Sequence, residues 1–309
     1  MPSLYTLKCL CAFCVIVIHT SLLGSRHLAP MLTVAVPCFF MCSGYFLYAS
    51  GGGEWQRIKK WVRKVLLVLA ATGFFYLCFL ETMTWLNVWL FFFEGSVNAI
   101  HLWYLSAMWQ GLIVMGILIK LNRTLLFLSP VAWLIVEWLY WFEVDASMVW
   151  LNVIRCVLIA VSFMSFGYAL AWFKYKTLAP MWIDVLTFVF VYAVMRLVVN
   201  EPELHMWREA LRVPLGVSLF AIALKWEKPR CQIAEWIGKY HSANIYYIHI
   251  FVEMQLHYLL AESQWKQASV EVMAVLVFFG SLLYSILINA VIKWGQQLYL
   301  RWRCSGVSS

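Results

Sequence analysis

Residues 4–23 read LYTLKCLCAFCVIVIHTSLL, twenty residues interrupted only by Lys8 and His19 as basic side chains. At 1.5 Å per residue, a helix of roughly 20 residues crosses a hydrocarbon core about 30 Å thick, so this stretch is long enough to span a bilayer. No charged segment precedes it and no small-residue cleavage site follows, so it reads as a retained first span rather than a signal peptide. Comparable apolar stretches follow almost end to end, at 30–50, 64–82, 102–121, 124–142, 149–173, 181–199, 208–225, 240–262 and 270–298. The segment around 85–95 is apolar but too short to cross and reads as an interfacial or re-entrant piece ahead of the fourth span. The expected fold is all-α: a polytopic membrane helical bundle of about ten transmembrane helices, with residues 1–309 forming a single integral-membrane domain.

Composition enforces the same class. Hydrophobic residues make up 64% of the 309, charged residues 12%, and mean hydropathy is +0.79, which no soluble domain with a mixed, charged surface sustains. Lys and Arg concentrate in alternate loops: Arg57 to Lys64, Lys120 and Arg123, Lys174 and Lys176, and Lys225 to Lys239. The opposite loops hold Glu81, Glu94, Glu143, Asp145, Glu201, Glu203 and Glu262. Positive charge marks cytoplasmic loops, which predicts both termini on the cytoplasmic side. The same asymmetry accounts for the net charge of +8 without nucleic acid, whose binders carry basic residues as one patch or stripe. Nine cysteines form no recurring CxxC pair, so they read as small packing residues and no metal is expected.

Polar groups inside spans are costly unless paired or hydrated, and so mark function by default. They are Lys8, His19, Arg155, Asp184, Arg196, Tyr246, His249 and Glu253, with His101 at the mouth of the fourth span. Lys8 and His19 are 11 residues apart, roughly 16 Å along a helix and within some 20° of one face. A cation near the inner mouth and an imidazole deeper on the same stripe suit a long polyanionic donor such as coenzyme A; a snorkelling lysine and a structural histidine satisfy the spacing equally. Tyr246, His249 and Glu253 fall at i, i+3 and i+7 on one face, where the carboxylate is placed to orient the imidazole for acid–base chemistry. A polar seam joining helices is the other reading.

These positions sit within a set of motifs, and the chain resembles acyltransferase family 3, bacterial membrane enzymes that O-acylate cell-surface glycans. In that family the first helix carries a basic residue, usually arginine, ahead of a histidine, and Lys8 and His19 match the spacing. Phe39-Phe-Met-Cys-Ser43-Gly-Tyr-Phe-Leu47 resembles its FFxxSGFxL signature. Arg57-Ile-Lys-Lys60 or Lys60-Trp-Val-Arg63 stands where the family has a basic RxxR-type motif, and His101-Leu-Trp103-Tyr-Leu105 is similar to its HLWYL element. Arg155 followed by Phe163-Met-Ser-Phe-Gly167, and Ile245-Tyr246-Tyr-Ile-His249-Ile250, complete six motifs in order over about residues 4–253. Two departures are plain: Lys8 replaces the usual arginine, and the basic motif lacks its double arginine.

The resemblance implies an acyl-CoA donor, acetyl-CoA in the simplest case, with phosphates against Lys8, Lys60 and Arg63. It implies His19 as general base or transient acyl carrier, and Arg155 holding an anionic acceptor or the tetrahedral oxyanion. His101 and His249 are expected in the same cavity, with Glu253 as orienter, and Ser43, Trp103 and Tyr246 as substrate contacts. The expected partners are acyl-CoA, a glycan acceptor, membrane lipid and separate glycan-assembly proteins, in the bacterial cytoplasmic (inner) membrane. A secondary transporter or carrier of a sugar-like or lipid-linked substrate is the alternative, since buried His, Arg and Glu also build substrate pathways. No internal repeat of the first span or of the Ser-Gly-Tyr-Phe element supports it. No P-loop, nucleophile elbow or HExxH motif is present.

Overall fold

A computed structural model describes residues 2–20, 29–51, 53–80, 83–95, 102–142, 149–198, 201–226, 231–260 and 270–305. Among them there is no strand. In chain order the helices are α1 (Pro2–His19), α2 (Ala29–Thr33), α3 (Ala35–Ala49), α4 (Glu54–Phe79), α5 (Trp85–Phe93), α6 (Trp103–Leu121) and α7 (Ser129–Phe142). They continue as α8 (Val149–Trp172), α9 (Tyr175–Leu178), α10 (Met181–Val198), α11 (His205–Lys225), α12 (Gln232–Tyr240), α13 (Ser242–Leu260) and α14 (Val270–Ser305).

Among the described residues, eight stretches are long and apolar enough to cross a membrane: α1, residues 30–49 through α3, α4, α6, residues 123–141 through α7, α8, α10, and 272–298 within α14. The other two expected spans are helices of sufficient length, α11 with 21 residues and α13 with 19. They miss the apolar standard because they carry polar side chains such as Arg208, Glu209 and Arg212 on α11 and His249 and Glu253 on α13. Two boundaries differ from expectation. α4 starts at Glu54 rather than 64, so its basic residues occupy helix rather than loop, and α14 runs on to Ser305.

Burial separates core from rim. In α8, 72% of the apolar stretch is buried and in α3 67%, against 17% in α10 and 22% in α14; the rim presents apolar side chains such as Phe190, Leu197 and Phe279 outward, as a lipid-facing surface requires. Among the described residues α3 packs most extensively against α8, and the cause is local. A Cβ on Gly44 would lie 1.8 Å from the carbonyl oxygen of Met164, and one on Gly167 2.0 Å from that of Met41, so only glycine lets the two backbones meet.

The short apolar segment is the nine-residue helix α5, started by Thr84, whose hydroxyl accepts the Asn87 N–H at 3.1 Å. Its last carbonyls, those of Phe91, Phe92 and Phe93, accept from Ser106 Oγ (3.0 Å), Trp109 Nε1 (3.2 Å) and Gln110 Nε2 (2.9 Å) on α6. The orphan carbonyls of a helix end are thus satisfied by a neighbouring helix, which fixes α5 against α6. Asp184 has a structural partner. It pairs with Lys225 across α10 and α11 and accepts the Tyr175 hydroxyl at 3.0 Å.

Candidate active site

Two of the cavities along α1 share one wall. The first, about 380 Å³, is lined by Lys8 and Tyr5 of α1, Cys42 and Ser43 of α3, Trp61 and Lys64 of α4, Tyr104 of α6, and Tyr246 of α13. The second, about 520 Å³, is lined by His19, by Trp103 of α6, by Asn152 and Arg155 of α8, by His205, Arg208, Glu209 and Arg212 of α11, and again by Tyr246. Tyr246 is 3% exposed and packs its ring 5.1 Å from Tyr104 and 6.1 Å from Phe39. These aromatic rings form the partition between a chamber entered beside two lysines and a chamber holding His19.

His19 ends α1, half-buried, with its ring centroid 5.0 Å from that of His249 on α13. His249 is fully buried, and its Nδ1 lies 2.7 Å from the Tyr246 carbonyl oxygen one turn back. A carbonyl only accepts, so Nδ1 carries the proton and the lone pair of the neutral ring is on Nε2. The helix backbone therefore sets this tautomer. Glu253, expected to do so, instead faces His257 at 3.9 Å with its side chain only 14% exposed; an i, i+4 spacing to each histidine let the carboxylate choose either, and it takes the exposed one.

The expected basic set is spread over different surroundings. Lys64 lines the first chamber with Lys8. Lys60 is exposed, and Arg63 lines a separate apolar groove with Trp55 and Phe92. Ser43 borders the first chamber and donates to the Phe39 carbonyl at 3.2 Å, and Trp103 borders the second. His101 lies outside the described residues.

A buried ionic network forms the far wall of the second chamber, and most of it was missed from sequence. Glu137 of α7, 1% exposed, accepts Arg155 Nη1 at 3.0 Å and lies 3.5 Å from His205 Nε2. Arg212 grips both oxygens of Glu209, at 2.8 and 2.6 Å, and Arg208 bonds His205 Nδ1. Arg155 also donates to Asn152 Oδ1 at 3.3 Å and lies over the Tyr140 ring at 4.5 Å. The sequence signal was there: His205, Arg208, Glu209 and Arg212 recur at i, i+3, i+4 and i+7, one helix face, in a stretch that reads as the charged edge of a span. Glu137 has no such local pattern.

Ligand atoms of Glu137, His205 and Glu209 lie within 4.8 Å of one another, close enough to hold a cation. Their carboxylates are already neutralised by Arg155 and Arg212, so a divalent ion would face those guanidiniums at short range. The set reads as an ion-pair network rather than a metal centre.

No curated protein and no solved structure matches the chain. The profile of the acyltransferase domain of acyltransferase family 3 matches residues 1–294 and so takes in both chambers, His19, Arg155 and His249. Nearly the whole length being covered, the chain belongs to acyltransferase family 3 and is a multi-pass membrane acyltransferase.

Proposed function

We propose that the protein is an acyl-CoA-dependent O-acyltransferase of the bacterial cytoplasmic membrane, moving an acyl group, acetyl in the simplest case, to a hydroxyl of a cell-surface glycan. The observation that carries this reading is the pair of chambers in series along α1, one with Lys8 and Lys64, the other with His19 and Arg155, sharing Tyr246. Two ammonium groups suit the donor's phosphates as point charges. The thioester end reaches past Tyr246 toward the histidines, and the acceptor occupies the second chamber.

His19 removes the proton from the acceptor hydroxyl, and the oxygen attacks the thioester carbonyl carbon. The C–O bond forms, the C–S bond breaks, and the CoA thiolate leaves and takes up a proton. The tetrahedral oxyanion formed between these events needs a nearby donor, and Arg155 supplies it. His249, 5.0 Å from His19 between ring centroids and with its lone pair on Nε2, is the second proton carrier of the pair.

The test is CoA release from acetyl-CoA by purified protein and by membranes supplied with glycans, for wild type and His19→Ala. Release that falls by about two to four orders of magnitude in the variant fits a lost general base. Wild-type membranes that release no CoA from any acyl-CoA would sink the reading and favour transport.

A further inference from the structure

The second chamber keeps its positive charge in front and its negative charge behind. Arg155, Arg208 and Arg212 all line it, against one lining carboxylate, Glu209. Glu137 sits behind Arg155, and Glu94 behind Asn152, which donates to it at 3.0 Å. The guanidiniums are partly open, with side chains 26%, 28% and 19% exposed. Arg155 gives one N–H of each Nη to Glu137 and Asn152, Arg212 bonds Glu209 through both Nη groups, and Arg208 bonds His205 through Nη2 alone, with its Nε 3.5 Å from Glu209; the Nε–H of Arg155 and of Arg212 is buried with no hydrogen-bond partner among the described residues.

Two unsatisfied N–H donors, and three cations against one lining carboxylate, are expensive to hold inside a membrane bundle. A neutral sugar offers hydroxyls, which water also supplies. An anionic group answers the charge left on Arg208 once Glu137 and Glu209 have paired with Arg155 and Arg212, and guanidiniums match planar or tetrahedral oxyanions in geometry as well as sign.

We infer that the acceptor carries a carboxylate or phosphate group, held in the second chamber by Arg208 and Arg212, while Arg155 stays at the reacting carbonyl. This rests on the acyltransferase reading and narrows its acceptor to an acidic glycan. Arg208 and Arg212 are the specificity-determining residues of that choice.

Equilibrium binding to the full-length protein in detergent tests it with three oligosaccharides of matched length: one of galacturonic acid, one of galactose bearing phosphate monoesters, and neutral galactose. At least one charged probe is expected to bind tenfold or more tighter than the neutral one. Arg212→Gln or Arg208→Gln should weaken it by about 10- to 100-fold, the loss of one charge-assisted contact, and leave acetyl-CoA binding unchanged. The paired variant Arg212→Gln with Glu209→Gln restores charge balance to the fold and should still bind weakly. Which charged probe binds assigns carboxylate or phosphate. Equal binding of all three, no binding of either charged probe, or charged binding that survives both arginine substitutions overturns the inference. Acetyl-CoA turnover measured on the same preparations reports separately on the acyltransferase reading.

Discussion

Lys60 and Lys64 stand one turn apart on α4, and 40° of helix rotation gives them different surroundings. Lys64 lines the first chamber with Lys8, whereas Lys60, exposed as Lys64 is, lines neither chamber and Arg63 lines a separate apolar groove. If the chamber holds the donor's phosphates, Lys64→Gln raises KM for acetyl-CoA about tenfold, in line with one lost charged contact, and Lys60→Gln leaves it within about twofold, as for a solvated charge. Steady-state kinetics on both variants decides between them, and a larger effect at Lys60 would relocate the donor. The same scale separates His249 from Glu253. The ring that reaches His19 is oriented by a backbone carbonyl, which no substitution at 253 removes.

At the level of elements, the contact that holds the core is backbone on backbone. α3 and α8 approach through Gly44 and Gly167, and α3 carries Ser43 on one chamber while α8 carries Arg155 on the other. Gly167→Ala forces a methyl into the Met41 carbonyl, which is overpacking with no flexible neighbour to yield; a loss of about 1–3 kcal/mol or more is expected. Thermal unfolding in detergent should show a lower midpoint, and an unchanged midpoint would mean the helices separate more easily than their packing indicates. Helix α11 illustrates the opposite economy. It is too polar to qualify as a span by composition, yet His205 and Glu209 are almost fully buried, because α7 supplies Glu137 to meet His205 and Arg212, one turn along α11 itself, meets Glu209.

For the whole molecule, the consequence is two chambers that share Tyr246, the ring of their partition that borders both, each drawing its walls from four or more helices. Tyr246→Ala opens that partition. CoA release without acceptor is expected to rise several-fold relative to acceptor-dependent release, because water gains the route that the ring closes; a release ratio like the wild type's would show that other groups separate the chambers. The sequence by itself determined the helical membrane bundle, the family, and the presence of His19, Arg155, Tyr246 and His249 inside spans, because span length, apolar composition and motif order are properties of contiguous residues. Only the tertiary structure decided that Lys64 rather than Lys60 faces Lys8, that Tyr246 borders both chambers, and that Glu137 meets Arg155 and His205. Those outcomes depend on how helices far apart in the chain rotate and pack against one another. Side-chain periodicity names the face a residue occupies, and the neighbour waiting on that face is set by packing alone.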